Sequence, residues 1–322
     1  MSGGLRVGSM FAGIGGICLG FKQAGFDIVW ANEIDRAACN TYRHNFGESW
    51  LVRGDVRKIS PHDIPSMDVL AAGFPCQSFS IAGTQKGFSD PRGNLFFEIA
   101  RIIDIKRPRA IFLENVSNLV EHDDGRTFLV IYNSLAQFGY VVKYKVMEVN
   151  VYANLPQPRS RIFLAAFLDI QDCDGFDFPK PIELTTGIND IINRSERKHE
   201  IYYYHQDSEV SRKFGKRIFD RRYIYRISDK GLIRVRNNFC PTLTANMGTY
   251  PNRVPIVRDD FGIRKLTLRE CLEFQGFPQD FRFPRNITIN DAYKQIGNSV
   301  CVPVVRHIAE NLSISLNKVA YG

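Results

Sequence analysis

The stretch LRVGSMFAGIGGICLGF, residues 5–21, sets the reading of the whole chain. LRVGSM (5–10) is a short run bounded by turn formers, the pattern of a buried strand. Glycines 13, 15 and 16 follow at the turn into a helix, where a missing side chain lets the backbone pass close to a bound cofactor. The second strand then ends in ANEID, which puts Glu33 twenty residues after Gly13, where a carboxylate accepts hydrogen bonds from a ribose diol. A complete G-x-G-x-x-G would need glycine at 18, and Cys18 stands there. That counts against a dinucleotide and leaves room for a smaller adenosine ligand.

Outward from this unit the same alternation continues. FDIVWA (26–31), DVLAAG (68–73) and AIFLEN (110–115) read as further buried strands. NLFFEIARIIDIK (94–106) sets Leu95, Ile99, Ile102 and Ile103 on one helical face before Pro108, and RTFLVIYNSLAQFG (126–139) is an amphipathic helix closed by Gly139. Strands at 141–149 and 162–167 follow. The expectation is an α/β fold, a doubly wound, mostly parallel sheet with helices on both faces. From about residue 182 the alternation stops and basic and aromatic residues rise, so a second, smaller domain is expected. A helix at 267–274 closed by Gly276, and a last helix from about Val304, return the chain to the first domain. The expected division is 1–181 with 283–322, and 182–282.

The 322 residues are 44% apolar and 24% charged, an ordinary globular composition. No apolar run approaches the ~18 residues of a membrane helix and MSGGLRVGSM lacks the build of a signal peptide, so a cytoplasmic protein is expected. Seven scattered cysteines with no C-x-x-C pair argue for reduced, mostly buried thiols and against a metal site. The net charge is +8, and residues 212–236 hold ten Lys/Arg against Asp220 and Asp229. Interleaved with Phe214, Phe219, Tyr223 and Tyr225, this run fits a surface that meets phosphates.

GFPCQSFS (73–80) brings Cys76 to the carboxyl edge of the sheet, the edge where open α/β folds bind ligands. A free thiol has a pKa near ~8.5, so a nucleophilic cysteine needs a helix N-terminus or cations nearby. The next strand delivers Glu114 to the same edge. Arg159 and Arg161 alternate at a strand start and point to one face, where a like-charged pair calls for something anionic opposite. Asp55, in RGDV, either serves an adenine amino group or simply holds a turn. Each of these residues taken singly also has an ordinary structural reading.

Taken together, F-x-G-x-G-G (11–16), N-E-x-D (32–35), G-F-P-C-Q-S-F-S (73–80), E-N-V (114–116), Q-x-R-x-R (157–161), R-E-C-x-x-x-Q-G-F-P (269–278) and G-N-S-V (297–300) resemble the DNA (cytosine-5)-methyltransferases of bacterial restriction-modification systems, in that family's order. The resemblance implies a Rossmann-like catalytic domain, a target-recognition domain in the variable region, and methyl transfer from S-adenosylmethionine to C5 of a flipped-out cytosine in a short duplex DNA sequence. It implies no metal. Cys76 would attack C6, Glu114 would hydrogen-bond or protonate N3, Arg161 would hold O2 and Arg159 would support the site. The cofactor would meet Phe11, Gly13, Gly15, Glu33, Ile34, Asp55, Val56, Pro75, Leu95, Asn298 and Val300. DNA contacts are expected at Gln77, Ser80 and Arg92, in a loop over 77–93, and at the Thr242–Leu243 pair. Duplex DNA and a cognate restriction endonuclease acting on the same site are the implied partners, and a monomer is expected. A tRNA methylase, a silent DNA-binding relative and an NAD-linked enzyme are the competing readings. The intact Cys76, Glu114, Arg159 and Arg161 and the incomplete glycine fingerprint disfavour the last two.

Overall fold

Strand β1 (Arg6–Met10) enters helix α1 (Gly16–Gln23) through the glycine turn, and β2 (Asp27–Glu33), α2 (Arg36–Phe46) and a three-residue β3 (Leu51–Arg53) continue the alternation. β4 (Val69–Gly73), α3 (Leu95–Lys106), β5 (Ala110–Val116) and α4 (Arg126–Gln137) come next. Strand β6 (Val141–Glu148), the single-turn α5 (Val149–Tyr152), β7 (Ser160–Phe167) and α6 (Ile170–Asp174) complete the large unit. This computed structural model describes residues 4–74, 95–218, 220–228, 231–235, 238–249 and 253–318.

The large sheet runs β3-β2-β1-β4-β5-β7-β6. Its first five strands pair in parallel, and β7 is antiparallel to both β5 and β6. The two exceptions have a local cause: β6 reaches β7 without a crossover helix, so the chain doubles back. Period-two alternation divides the strand residues between two helical layers. Val69 and Ala71 face the cluster that also holds Phe21, Val305 and Ile308, whereas Leu70 and Ala72 face the one that holds Ile99, Ile103 and Ile131. Strand order reverses between β1 and β4, which are neighbours. That switch point opens a crevice at the carboxyl ends of the strands.

Beyond residue 175 the elements shorten. Single-turn α7 (Ile188–Ile191) and the six-residue α8 (Glu209–Phe214) precede β8 (Tyr225–Ser228) and β9 (Gly231–Arg234). The four-residue α9 (Asn246–Thr249), β10 (Ile256–Arg258) and β11 (Ile263–Lys265) follow. The four strands form an antiparallel sheet in the order β11-β10-β8-β9. Its core is small, built on Val210, Ile218, Tyr225, Leu232 and Ile256. Charge supplements it: fully buried Arg264 donates to Asp259 at 2.7 Å and, through both terminal nitrogens, to Glu270 at 2.8 Å.

Helix α10 (Leu268–Phe274) starts where expected because Thr267 and Glu270 form a reciprocal capping box. Helix α11 (Ile289–Asn298), capped by Thr288, precedes the 17-residue α12 (Val302–Lys318), which packs on α1. One buried cluster joins Ile14 of the glycine turn to Leu243, Leu272, Phe277, Ile296 and Val302, so the later chain is stitched to the first strand's exit. The described cysteines are free and buried, as their scatter predicts. Among the described residues no helix is long and apolar enough to cross a membrane.

Candidate active site

A cavity of about 420 Å³ occupies the crevice at the switch point. Its walls are the ends of four strands and the two segments that close over them: Phe11 after β1, Glu33 and Ile34 after β2, Gly73 and Phe74 after β4, and Glu114 to Val116 on β5. The glycine turn lines it through Gly13 and Gly16, helix α3 through Leu95, and the distant 297–300 segment through Asn298, Ser299 and Val300. Thus most of the expected cofactor residues converge although they span nearly the whole chain.

The adenosine end of the cavity follows from local chemistry. Gly13 takes φ +56°, and a Cβ built on it would meet nothing within 4 Å. Its side-chain position therefore opens onto the cavity, the close approach that the sequence requires of it. Its N–H donates to Glu33 Oε2 at 2.8 Å, and the N–H groups of Ile34 and Asp35 both donate to Oε1 at 2.8 Å. Three backbone donors hold this carboxylate, leaving an acceptor position on Oε2 for a ribose hydroxyl. Ile34 beside it is 63% exposed, an apolar side chain at the cavity rim suited to the flat face of an adenine.

Asp55, Val56 and Gly15 depart from the expected set, because none of them lines the cavity, and a Cβ on Gly15 would lie 2.3 Å from the Phe46 ring. After Gly54 the chain turns into a one-turn 3-10 helix (Val56–Lys58) that Asp55 caps, its carboxylate accepting from the Arg57 N–H. Arg57 then grips both of its oxygens, at 2.9 and 2.6 Å, and that bond holds its pKa below the usual carboxylate value. Val56 is buried in the core cluster beneath β1.

At the opposite end sit the charged groups. Glu114 is 8% exposed, and Arg161 Nε lies 3.0 Å from its Oε1. Burial raises the Glu114 pKa, and the nearby Arg161 and Arg159 guanidinium groups only partly oppose that rise. Next along β5, buried Asn115 donates its amide to the carbonyl of Phe74 at 3.0 Å. It thereby fixes the last described residue before the Pro75–Cys76 pair. Pro75, Cys76, Gln77, Ser80 and Arg92, with the loop over 77–93, lie outside the described residues.

Arg159 shares the cavity wall with Arg161, but the two guanidinium groups are engaged differently. It precedes β7, is 2% exposed, and donates to the carbonyls of Leu243 at 2.5 Å, Ser299 at 2.6 Å and Gly297 at 3.3 Å. Burial, then repulsion from Arg161, pulls its pKa down to about 9, so it stays charged at neutral pH. The Thr242–Leu243 pair likewise departs from a base-reading role. Leu243 is fully buried, and the Thr242 hydroxyl donates to the Pro158 carbonyl at 2.9 Å.

Three contributors escaped the sequence reading. Gln157 is fully buried: its amide nitrogen donates to Phe274 O and its oxygen accepts from Leu243 N. A buried glutamine must find such partners, but these lie 117 and 86 residues away. Lys294 and Gln295 of α11 line the far wall, and Gln295 is held by Thr41 at 2.8 Å. The spacing of Ile289, Ala292, Tyr293 and Ile296 was the available signal for that helix. Among the described residues no group of His, Cys, Asp or Glu is arranged to hold a metal ion.

A strand-switch crevice with a glycine turn, a carboxylate held by three backbone amides and a buried Glu–Arg pair is the build of an α/β enzyme with a nucleoside-bearing cofactor. Comparison with known proteins supplies the family: residues 5–313 match the model for C-5 cytosine-specific DNA methylases, and the chain belongs to that family. It is 48% identical over 315 residues to the Type II methyltransferase M.Bsp6I of Bacillus sp. (strain RFL6), covering 97% of this chain and 99% of that one. It is 36% identical over 318 residues to M.HhaI of Haemophilus parahaemolyticus, covering 98% and 96%. The crystal structure of the S. pombe Dnmt2 methyltransferase superposes with a TM-score of 0.75 at 24% identity, covering 98% of this chain and all of that one, which shows a shared fold. The protein is a DNA cytosine-5 methyltransferase, and S-adenosylmethionine is its cofactor. The open space over Gly13, the bare Ile34 and the remaining acceptor on Glu33 fit that molecule.

Proposed function

We propose that this enzyme methylates C5 of a flipped-out cytosine within one short duplex sequence, with Cys76 as nucleophile and Glu114 and Arg161 as the groups that stabilise the reacting ring. The observation that carries the assignment is the Glu114–Arg161 pair, 3.0 Å apart, in the cavity that also holds Glu33, Ile34 and Asn298. Phe11, Gly13, Glu33, Ile34, Leu95, Asn298 and Val300, with Pro75, hold the cofactor in this reading, and Gly15 shapes the turn that carries Gly13. S-adenosylmethionine supplies the electrophilic methyl group.

C5 of cytosine is a poor nucleophile. Addition of the Cys76 thiolate to C6 breaks the ring's aromaticity and loads electron density onto C5, the carbon that takes the methyl group. Glu114, kept neutral to higher pH by its burial, donates to N3 as density builds there, and Arg161 holds O2 while keeping Glu114 in place. The C5 proton then leaves to water and Cys76 is expelled, which restores the double bond. Flipping the base costs a few kcal/mol, and the loop over 77–93, with Gln77, Ser80 and Arg92, is assigned to hold it out of the stack.

Residues 1–181 with 283–322 act as the catalytic and cofactor-binding domain and 182–282 as the target-recognition domain. Support comes from the separate small sheet and its basic, aromatic surface, where Arg222 and Arg234 flank the Tyr223 ring at 5.8 and 4.4 Å. Relatives named Type II methyltransferases support a modification role, and in this reading the enzyme works as a monomer in the cytoplasm beside a cognate restriction endonuclease. The test is methyl transfer from labelled S-adenosylmethionine to unmethylated duplex DNA, followed by bisulfite sequencing. C5 methylation at one recurring short sequence is expected. Incorporation into tRNA alone would overturn the reading.

A further inference from the structure

We propose that Arg159 is a positioning residue that clamps residues 240–249, a strip of the proposed target-recognition domain whose exposed Thr244, Asn246 and Thr249 are free to face DNA, to the cofactor wall, so that cofactor affinity and target fidelity are coupled through it. This rests on the methyltransferase reading above. The argument starts from the capacity of a guanidinium. Its planar fork carries five N–H bonds, and the two terminal nitrogens of Arg159 are engaged by the carbonyls of Leu243, Gly297 and Ser299. A side chain 2% exposed and so engaged holds protein together at the cavity edge.

Two of those carbonyls close the carboxyl end of α11, where the last helical C=O groups lack partners and the dipole favours a cation. Arg159 thus caps the helix that ends in Asn298, and Asn298, Ser299 and Val300 form the cofactor wall. Its third carbonyl belongs to the recognition strip. An independent contact joins the same two elements: a Cβ on Gly297 would lie 2.1 to 2.5 Å from the backbone of Thr244 and Ala245. Strip and helix therefore meet backbone to backbone. Gln157 Oε1 accepts from Leu243 N at 3.1 Å, Thr242 Oγ1 donates to Pro158 O at 2.9 Å, and Cys240 N donates to Pro156 O at 2.7 Å, so the strip is also laced to the segment that enters β7 and carries Arg161. A recognition strip displaced by a wrong base pair would pull on the wall and on the Glu114–Arg161 pair together. Binding linkage makes the effect reciprocal: cognate DNA tightens cofactor binding by the factor by which cofactor tightens cognate DNA.

The experiment uses full-length Arg159→Lys, which keeps the charge and loses the fork, and Thr242→Val, which removes one strip contact away from α11. S-adenosylmethionine affinity is read by calorimetry with and without cognate duplex, and fidelity by bisulfite counts at cognate and singly altered sites. Loss of hydrogen bonds to a charged donor should weaken cofactor binding to Arg159→Lys without DNA by about tenfold and lower fidelity by about tenfold. Thr242→Val should lower fidelity and shrink the gain in cofactor affinity on adding cognate duplex, with cofactor binding alone unchanged. Combined, the two substitutions should cost less fidelity than the product of the single effects. Arg159→Lys with normal cofactor affinity and fidelity but slow turnover would overturn the clamp in favour of a substrate contact. If that variant does not fold, an unchanged gain in Thr242→Val overturns it equally. A wild-type protein that binds cofactor and methylates no DNA would instead overturn the reading on which the clamp rests.

Discussion

Residues 69–72 of β4 and 110–113 of β5 are fully buried and apolar, whereas β8 and β9 each bury one residue, Tyr225 and Leu232, among partly and fully exposed ones. The first region is an apolar frame that sets Glu114 and Phe74 at fixed separation, because close-packed strands between two helical layers have nowhere to move. The second gains its order from a five-residue core, the buried Arg264 cluster and arginines stacked on Tyr223. Chemistry needs fixed distances, and a surface that follows DNA needs charge. The two parts of the chain divide along that line.

The comparison can be broken most severely at the nucleophile. Cys76→Ser should lower methyl transfer by at least about a thousandfold while calorimetric cofactor affinity stays near wild type. Appreciable transfer by the serine variant would remove Cys76 from the mechanism. Next in size is Arg264→Met, which leaves the buried Asp259 and Glu270 carboxylates without their shared cation. It should cost about 3–5 kcal/mol in denaturant unfolding. A loss near zero would mean that the small sheet is held by its apolar core after all.

Glu114→Gln should lower kcat by about a hundredfold or more. Burial raises the Glu114 pKa, so its proton is retained to higher pH than on a free glutamate and is lost as pH rises through the raised value. Turnover of the wild type should therefore fall on the alkaline side. Arg161→Met, by removing the opposing charge, should move that fall to still higher pH in single-turnover rates. A fall that moved to lower pH would contradict the assignment of the limb to Glu114. The smallest effect is expected at Arg234, whose guanidinium lies 4.4 Å over Tyr223. Arg234→Ala should cost about 0.5–1 kcal/mol of stability. In DNA binding it should reduce the slope of log affinity against log salt by about one. An unchanged slope would take this face off the phosphates.

The same division governs what could be read from sequence. Each strand of the large sheet that the sequence reading placed lies within about two residues of its expected ends, and α10 begins at the Thr267 cap, because buried strands and capped helices carry local signatures. Three-residue β3 and the strands of the small sheet escaped, since runs of three or four mixed residues carry no period. Glu33, Glu114 and Arg161 were legible as ends of elements that meet at one sheet edge, whereas Ile34 and Asn298 came from the family resemblance alone. The true partners of Asp55, Arg159 and Leu243 were not. Asp55 was taken by a neighbour two residues on, and the other two by contacts 84 to 140 residues away.

The ties of the 240–249 strip run largely through main-chain atoms: to α11 through the Leu243 carbonyl, by way of Arg159, and the Thr244–Ala245 backbone on Gly297, and to the segment entering β7 through the Leu243 and Cys240 amides. Main-chain groups are the same whatever side chain follows, so exposed Thr244, Asn246 and Thr249 are free to change without loosening the seat. If the strip reads bases as proposed, a lineage carrying this joint can change the DNA word it reads by point substitution while the cofactor wall keeps its seat.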